Sequence, residues 1–430
     1  MNVRKLAYRI LRRFERDGRF PSEEVRELFS RLKDRDRSFL KELVWGVLRR
    51  QIFLDWVLDR FLKNPDVPPG IRVVLRMGAY QVFFMDSVPD YAAVSESVSL
   101  VEDRNFRKLV NAVLRKVAAK RNEFEPEEIH VKYSHPKWIA EYLVENYGFE
   151  TAIRIMESHL KPSPMVFRAN TLRFSREDLI IMMEEDGIAA SPTSHSPHGI
   201  VVKYNGAVAD FTYEKNGLGT FQGESSQIVG LILDPQPGWK VLDLAAGFGG
   251  KSTHLAQMMK NSGKIVAIDD SFEKIEVLNK RAKRLGVDII ETAVMDGRDV
   301  PGVFKPDFDG ALLDAPCSSL GTARKNPDVL LTFQRKSLKN LLKLQRELLE
   351  VAVNMVRKGG VVVYATCTFL REENEGVVRS VIQGLKDVRV LDVRERLENF
   401  GIDYVWDGVG ALMLPDETLT EFYVSALEKR

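Results

Sequence analysis

The sequence predicts a multidomain protein: an all-helical domain over residues 1–145, a small α+β linker domain over 146–232, and an α/β domain with a mostly parallel sheet over 233–430. Three observations predict it. The chain has 430 residues, more than one core organises at roughly 100–200 residues per domain. Apolar residues recur at helical spacing through the first third. From residue 239 onward, short apolar runs alternate with amphipathic segments. The composition, 44% hydrophobic and 29% charged, excludes a fibrous or wholly disordered chain.

In the first domain Leu6, Ala7, Ile10 and Leu11 share one helical face, and Arg9, Arg12 and Arg13 largely take the other. Helical runs follow at 35–63, 71–85, 91–102 and 106–120, with breaks at Asn64–Gly70 and at Pro89. The first fifty residues carry 15 Lys or Arg against 8 Asp or Glu, although the whole chain nets only +2. Such a surplus attracts phosphates whatever the base, and Arg49, Arg50, Arg104, Arg107, Lys108, Arg115 and Lys116 could form that surface. A solvated, salt-bridged helix face is the plain alternative.

The linker domain reads as two helices over 134–160, then a strand, a helix and a turn over 162–188. In the polar cluster at 191–199, His195 and His198 lack a suitable third ligand. A solvent-facing loop is expected there rather than a metal site, and His135 before Pro136 is expected to be structural. Cys317 and Cys367 are the two cysteines, which excludes a disulfide-dense secreted scaffold and favours reduced thiols. No apolar run reaches about 18 residues, and the basic start lacks an apolar stretch ending in small cleavage-site residues. A soluble, cytoplasmic protein with no membrane partner is expected.

In the last domain, strands are expected at 240–245, 264–270, 288–296, 309–316 and 359–367. Ligands of such a sheet sit beyond the carboxyl ends of the strands, so the residues after each run are the short list. The first run opens into Ala245-Ala246-Gly247-Phe248-Gly249-Gly250-Lys251-Ser252, a turn whose glycines let a ligand approach the backbone. Its register is not that of a P-loop, because Ala245 stands where the first Gly should. Asp269 and Asp270 end the second run about 20 residues later, where a carboxylate can accept from a ribose diol. Asp296 closes the third run, in reach of an adenine amino group. Together these suggest an adenosine-containing cofactor, with simple capping carboxylates as the alternative. Asp314-Ala315-Pro316-Cys317 ends the fourth run and Tyr364-Ala365-Thr366-Cys367 the fifth. Both cysteines therefore occupy exits of consecutive strands, which favours chemistry over core filling.

The stretches VLDLAAGFGGKSTHLA, DAPCSSLGTARKNPD and YATCTFLREENE, with FQGESSQ upstream, resemble the motifs of RNA cytosine-C5 methyltransferases of the Sun/NOL1/NOP2 class. RDRSFLKELVWGVLRR, PDYAAVSESVSLVE, LVNAVLRK and SHPKW are similar to the NusB-like RNA-binding domain of the bacterial Sun/Fmu group, so the resemblance covers nearly the whole chain. It implies a NusB-like helical domain and a Rossmann-like catalytic domain that uses S-adenosylmethionine and releases S-adenosylhomocysteine. The implied partner is 16S ribosomal RNA, free or in an assembly intermediate, methylated at the 967-type cytosine by a monomer.

The resemblance also distributes the roles. Cys367 would attack C6 of the base, Cys317 would assist release, Asp314 would bond the N3 and amino edge, and Lys251 would help hold the base. Ala246, Gly247, Phe248, Gly249, Gly250, Lys251, Asp269, Asp296 and Asp314 would hold the cofactor. Arg35, Arg37, Arg49 and Arg50 are candidate RNA contacts, with Arg324 and Lys325 expected nearer the active site. Three departures stand out: Phe248 replaces the Pro of CAAPGGKT, whose cysteine is also absent; Asn326 replaces the His of GxxRRHPD; and Leu419–Tyr423 lacks the glycines of GTDGFF. The same chemistry on transfer RNA and a noncatalytic assembly factor are the alternative functions; retention of Cys317, Cys367, Asp314 and Lys251 weighs against the second.

Overall fold

The computed structural model describes residues 2–18, 22–204, 206, 208–385 and 387–430. Packing groups the chain into two compact units, Met1–Pro162 with Ala323–Thr332, and Ser163–Thr322 with Phe333–Arg430. These boundaries differ from those expected at 145 and 232. Helices Lys137–Tyr147 and Phe149–His159 group with the helical unit, and the linker strands share one unit with the large sheet.

The first unit is helical; the run expected at 35–63 divides at Arg50 into Asp34–Arg49 and Gln51–Asp59, and Ser22–Arg31 is a further helix. Asn2 caps Val3–Asp17 by accepting from the Lys5 N–H, and Gly18 closes it in the left-handed conformation. Pro69 begins Pro69–Phe84, and Asp103 caps Arg104–Ala119 through the Asn105 and Phe106 N–H groups. Leu6, Ala7, Ile10, Leu11 and Phe14 are buried, as the periodicity predicts. A buried guanidinium crosses this core: Arg76 bonds both Asp55 oxygens at 2.8 Å and Glu15 at 2.8 Å. Such an ion triad contributes more to uniqueness of packing than to net stability.

The expected RNA contacts divide sharply by environment. Arg37 is buried, with its guanidinium donating to the Phe29 and Leu32 carbonyls at 2.9 Å and facing Asp34 at 3.1 Å. Arg324 is also buried, donating to the Pro162 carbonyl at 3.2 Å. Burial of both side chains argues against their use as phosphate contacts. Arg49 donates to the Arg324 carbonyl at 3.3 Å, and Arg50 lies 4.7 Å over the Phe84 ring. Arg35 and Lys325 remain exposed. Arg37→Ala is therefore expected to cost about 1–3 kcal/mol in chemical denaturation, since two carbonyls lose their guanidinium donor. Arg35→Ala should leave stability unchanged, weaken RNA binding, and lower the log–log salt slope by about one in anisotropy titrations.

The second unit contains two sheets. Strands β1 (Val166–Ala169), β2 (Ala190–Pro192), β3 (Gly199–Val202) and β4 (Gly219–Phe221) form an antiparallel sheet of order β2-β3-β1-β4. Helix Arg176–Glu185, opened by a Ser175/Asp178 capping box, packs on it around Phe167, Leu179, Met183 and Phe211. The larger sheet holds β5 (Lys240–Asp243), β6 (Lys264–Asp269), β7 (Ile290–Val294), β8 (Phe308–Asp314), β9 (Val356–Thr366), β10 (Val388–Leu391), β11 (Tyr404–Trp406), β12 (Ala411–Met413) and β13 (Phe422–Lys429). Five strands are parallel in the order β9-β8-β5-β6-β7; β13, β12 and β11 continue antiparallel beyond β9, and β10 pairs with β13. The middles of β6, β8 and β9 are continuous buried apolar runs, as parallel strands covered on both faces require. The order reverses between β5 and β8, which places the ligand crevice at their carboxyl ends.

The histidine cluster departs from expectation. His195 is not solvent-facing: Nε2 meets Asp416 Oδ2 at 2.6 Å and Nδ1 meets the Phe400 carbonyl at 2.7 Å. Glu224 receives the His195 and Ser196 N–H groups at 2.8 and 2.7 Å. His198 Nδ1 lies 2.9 Å from His254 Nε2, and His135 is buried against His159. Among the described residues, no group of three or more His, Cys, Asp or Glu is placed to hold a metal ion.

Two acceptors around one imidazole make His195⁺ a latch, with a defined pH signature. Burial lowers its pKa, but Asp416 and the Phe400 carbonyl raise it more, to a net value above 6.5. Its contribution is complete below 6.5 and fades as pH rises through the raised folded value. Asp416, held down to about 2, contributes above its ordinary 3.8 and loses this only as pH falls towards 2. His195→Ala should thus cost about 1–2 kcal/mol near pH 5–6 and progressively less above neutrality, as read from denaturation midpoints across that range.

Candidate active site

The turn after β5 is tied to the neighbouring strand before it becomes helix Gly250–Met258. Ala246 N–H donates to the Ile268 carbonyl at 2.8 Å, and Gly247 N–H to Asp269 Oδ2 at 2.9 Å. Gly247 and Gly249 have φ of 54° and 75°, values that side-chain-bearing residues avoid. A Cβ on Gly249 would lie 2.4 Å from Leu278 Cγ, whereas one on Gly247 would project into open space. Phe248 turns its ring outward, 56% exposed, and its carbonyl accepts from Arg281 at 2.7 Å. The Arg281 bond fixes the peptide where the resembling family uses Pro.

Carboxylates line the strand exits. Asp243 is fully buried; Oδ2 accepts from Ser252 at 2.6 Å, Oδ1 has no partner, and burial pushes its pKa up to about 6. Asp269 additionally receives Ser271 N–H at 3.0 Å and Lys274 Nζ at 3.1 Å. Asp296 is occupied by Arg298 at 2.6 and 2.9 Å, which holds its pKa at about 2. An orphaned buried acceptor, open space over Gly247 and further carboxylates at the strand ends suit a ligand bearing cationic and hydroxyl donors.

Beside this crevice, β8 and β9 deliver the reactive groups. Lys251 Nζ lies 2.5 Å from Asp314 Oδ2 and 5.1 Å over the Phe422 ring, with only 10% of its side chain exposed. Cys317 Sγ and Cys367 Sγ are 3.4 Å apart, and Ser319 Oγ is 3.6 Å from Cys367 Sγ. The pair is polarised. Cys367 is hydrogen-bonded to Cys317 and to Ser319 Oγ, and the Lys251 charge favours a thiolate there, so the Cys367 pKa falls below 9.0 despite burial and the Asp314 charge. The same contact, burial and the nearby Glu373 charge push Cys317 well up.

The loop after β9 holds this geometry through residues not singled out from sequence. Glu373 is buried; Oε2 accepts from Ser318 N–H and Gln345 Nε2, each at 2.9 Å. Asn374 bonds Thr366 Oγ1 at 2.5 Å and the Thr368 carbonyl at 3.0 Å, while Tyr364 donates to the Glu373 carbonyl at 2.6 Å. Glu373 and Asn374 lie inside the REENE stretch, where the charge run reads as surface until β9 turns it inward. Arg324 and Lys325, expected near this site, lie in a segment that groups with the helical unit, where the Lys325 carbonyl accepts from Trp45 at 3.2 Å. A cavity of about 450 Å³ lined by Thr171, His198, Asp234, Gln257 and Lys260 shares no residue with the thiol site.

Comparison with known proteins agrees with this arrangement. Residues 230–428 match the family described as 16S rRNA methyltransferase RsmB/F, residues 1–119 the NusB family, and 135–209 the ferredoxin-like domain of RsmF/B-like methyltransferases. The probable ribosomal RNA small subunit methyltransferase B of Bacillus subtilis is 32% identical over 444 residues, covering 100% of this chain and 99% of its own. The chain belongs to the ribosomal RNA small subunit methyltransferase B family. A family member from Escherichia coli O6:K15:H31 is 28% identical, with 91% of this chain and 92% of that one covered. Among solved structures, that of PH0851 superimposes with a TM-score of 0.81 at 27% identity over 100% of this chain and 99% of that one. A methyltransferase homolog from Pyrococcus horikoshii gives 0.58 at 28% identity over 70% of this chain and 97% of that one. Family membership makes the parts plain: a NusB-like helical domain, a ferredoxin-like domain that includes β1–β3, and a methyltransferase domain on the larger sheet. No helix among the described residues is long and apolar enough to cross a membrane.

Proposed function

We propose that the protein methylates C5 of one cytosine of 16S ribosomal RNA, the 967-type site, through a covalent Cys367 adduct at C6. The observation that carries this reading is the polarised thiol pair beside the Lys251–Asp314 ion pair. Cytosine C5 is too weak a nucleophile to take a methyl group directly. Addition of the Cys367 thiolate to C6 breaks the C5=C6 π bond and makes C5 the carbon of an enamine. Asp314 would face the N3 and amino edge, and Lys251 would offset the charge that develops on the ring.

Ala246 to Lys251, Asp269, Asp296 and Asp314 would hold S-adenosylmethionine, which supplies an electrophilic methyl when bound. Once C5 carries both substituents, a base takes its proton, the C5=C6 bond reforms, and the Cys367–C6 bond breaks. Cys317, whose thiol keeps its proton, is suited to return that proton to Cys367 as it leaves. Cys317→Ala should consequently add to RNA but release it slowly, giving a retarded protein–RNA band on denaturing gels. Absence of that band would remove Cys317 from the release step.

A cytosine in folded RNA must leave its stack or be taken from a loop to reach Cys367. The helical unit would supply base-independent phosphate contacts through exposed cations such as Arg35 and Lys325. The test is incubation with radiolabelled S-adenosylmethionine and separate pools of unmodified 16S and transfer RNA, followed by mapping of 5-methylcytosine. Label at one 16S cytosine is expected. Label confined to transfer RNA, or absent from both pools, contradicts the proposal.

A further inference from the structure

The catalytic sheet is not the sole support of the cofactor turn. Strand β1 and the residue that follows it set two side chains, Arg168 and Asn170, along helix Gly250–Met258. Both are fully buried. Arg168 Nη1 donates to the Gly250 carbonyl at 2.6 Å and also to Gln222 Oε1, while Nη2 donates to Thr253 Oγ1 at 3.0 Å. Thr253 in turn donates to the Gly249 carbonyl at 2.7 Å. One turn further on, Asn170 Oδ1 accepts from Gln257 Nε2 at 2.9 Å.

Stability alone gives this arginine little reason to be there. A buried charge is costly unless paired, and a cation at a helix amino end opposes the helix dipole. The attracting carboxylate, Glu214, is engaged by Arg284, and Arg168 Nε is buried without a partner. What the guanidinium does is geometric. Its planar fork joins the turn's second and third glycine positions, through Gly250 and Thr253, to a strand of the other sheet. Gly247 and Gly249 leave that turn without side-chain constraints of its own, so its shape depends on what grips it from beneath.

Building on the cofactor assignment above, we propose that Arg168 is a positioning residue for S-adenosylmethionine: it clamps the Gly249–Thr253 turn in the shape that receives the cofactor. The ferredoxin-like domain then acts on the reaction through the cofactor turn, in addition to any part in RNA binding. Arg168 does not touch the reacting atoms, so its loss acts on cofactor affinity rather than on the chemical step.

Isothermal titration of the full chain with S-adenosylmethionine, alongside thermal denaturation, tests this. Arg168→Met keeps the apolar volume and loses every donor; it is expected to weaken cofactor binding about tenfold or more. The KM for RNA should stay unchanged and kcat at saturating cofactor should stay within about threefold. Arg168→Lys restores charge but not the fork, so it should recover only part of the affinity. Thr253→Val, a milder change, should weaken binding in the same direction and keeps the test decisive should the methionine variant fail to fold. A folded Arg168→Met or Thr253→Val protein with wild-type cofactor affinity, or a variant that lowers kcat alone, overturns the clamp. Failure of the wild-type protein to bind S-adenosylmethionine overturns the cofactor assignment itself, and the clamp with it.

Discussion

Replacing Cys367 with alanine is expected to abolish methyl transfer, by about four orders of magnitude or more in kcat, while leaving cofactor affinity and folding intact. The size of the effect follows from the chemistry. Without a nucleophile at C6, no other group in the site can raise electron density at C5, so positioning and electrostatics have nothing to act on. The local contacts favour the proposal that this thiol rather than its neighbour attacks. Cys367 faces Ser319 Oγ, the Lys251 charge and the Cys317 thiol, which together bring its pKa below 9.0 despite burial and the Asp314 charge. The rate should accordingly rise with pH and reach its plateau below the ordinary thiol range. Cys367→Ser keeps the shape but has a far less acidic group, so it should be inactive as well. Single-turnover methylation of 16S RNA with each variant checks this; an alanine variant with wild-type turnover would remove the covalent step.

The second large effect is expected at Asp314. Asp314→Asn keeps the size of the side chain but removes the charge paired with Lys251 at 2.5 Å. Two losses combine. The ring edge loses its anionic partner as proton density shifts towards N3, and the poorly exposed Lys251 ammonium loses its counter-charge. A fall in kcat of about 10²- to 10³-fold is expected, with a much smaller change in the KM for RNA, since the interaction strengthens as the adduct forms. Steady-state kinetics at saturating cofactor distinguishes this from lost RNA binding, which would raise KM with kcat preserved.

The catalytic half was legible in the sequence because its signals are local. Each parallel strand is a short apolar run whose carboxyl end opens at the crevice, so Asp269, Asp314, Cys317 and Cys367 could be placed there by reading strand exits, whereas Lys251 was reached only through the motif resemblance. Residues whose role depends on partners distant in sequence were not. Arg35 and Arg37 belong to one basic run, yet Arg37, three and seven residues before Leu40 and Val44, shares their buried face and donates to the Phe29 and Leu32 carbonyls. His195 looked like a polar-turn residue until Asp416, 221 positions later, came to face it. Arg168 sits in an unremarkable strand, and its meaning appears only when helix Gly250–Met258 lies against it. Segment 323–332 continues a catalytic motif in sequence but groups with the helical unit, because Arg324 and Lys325 bond to Pro162, Arg49 and Trp45 there.

The most direct test of the account is to trap the Cys317→Ala protein on unmodified 16S RNA with S-adenosylmethionine and locate the attachment by peptide mass spectrometry. One nucleotide is expected to be linked to the peptide bearing Cys367, with the link lost in the Cys317→Ala/Cys367→Ala double variant. Attachment at any other residue, or 5-methylcytosine formed at the normal rate by the double variant, would contradict it.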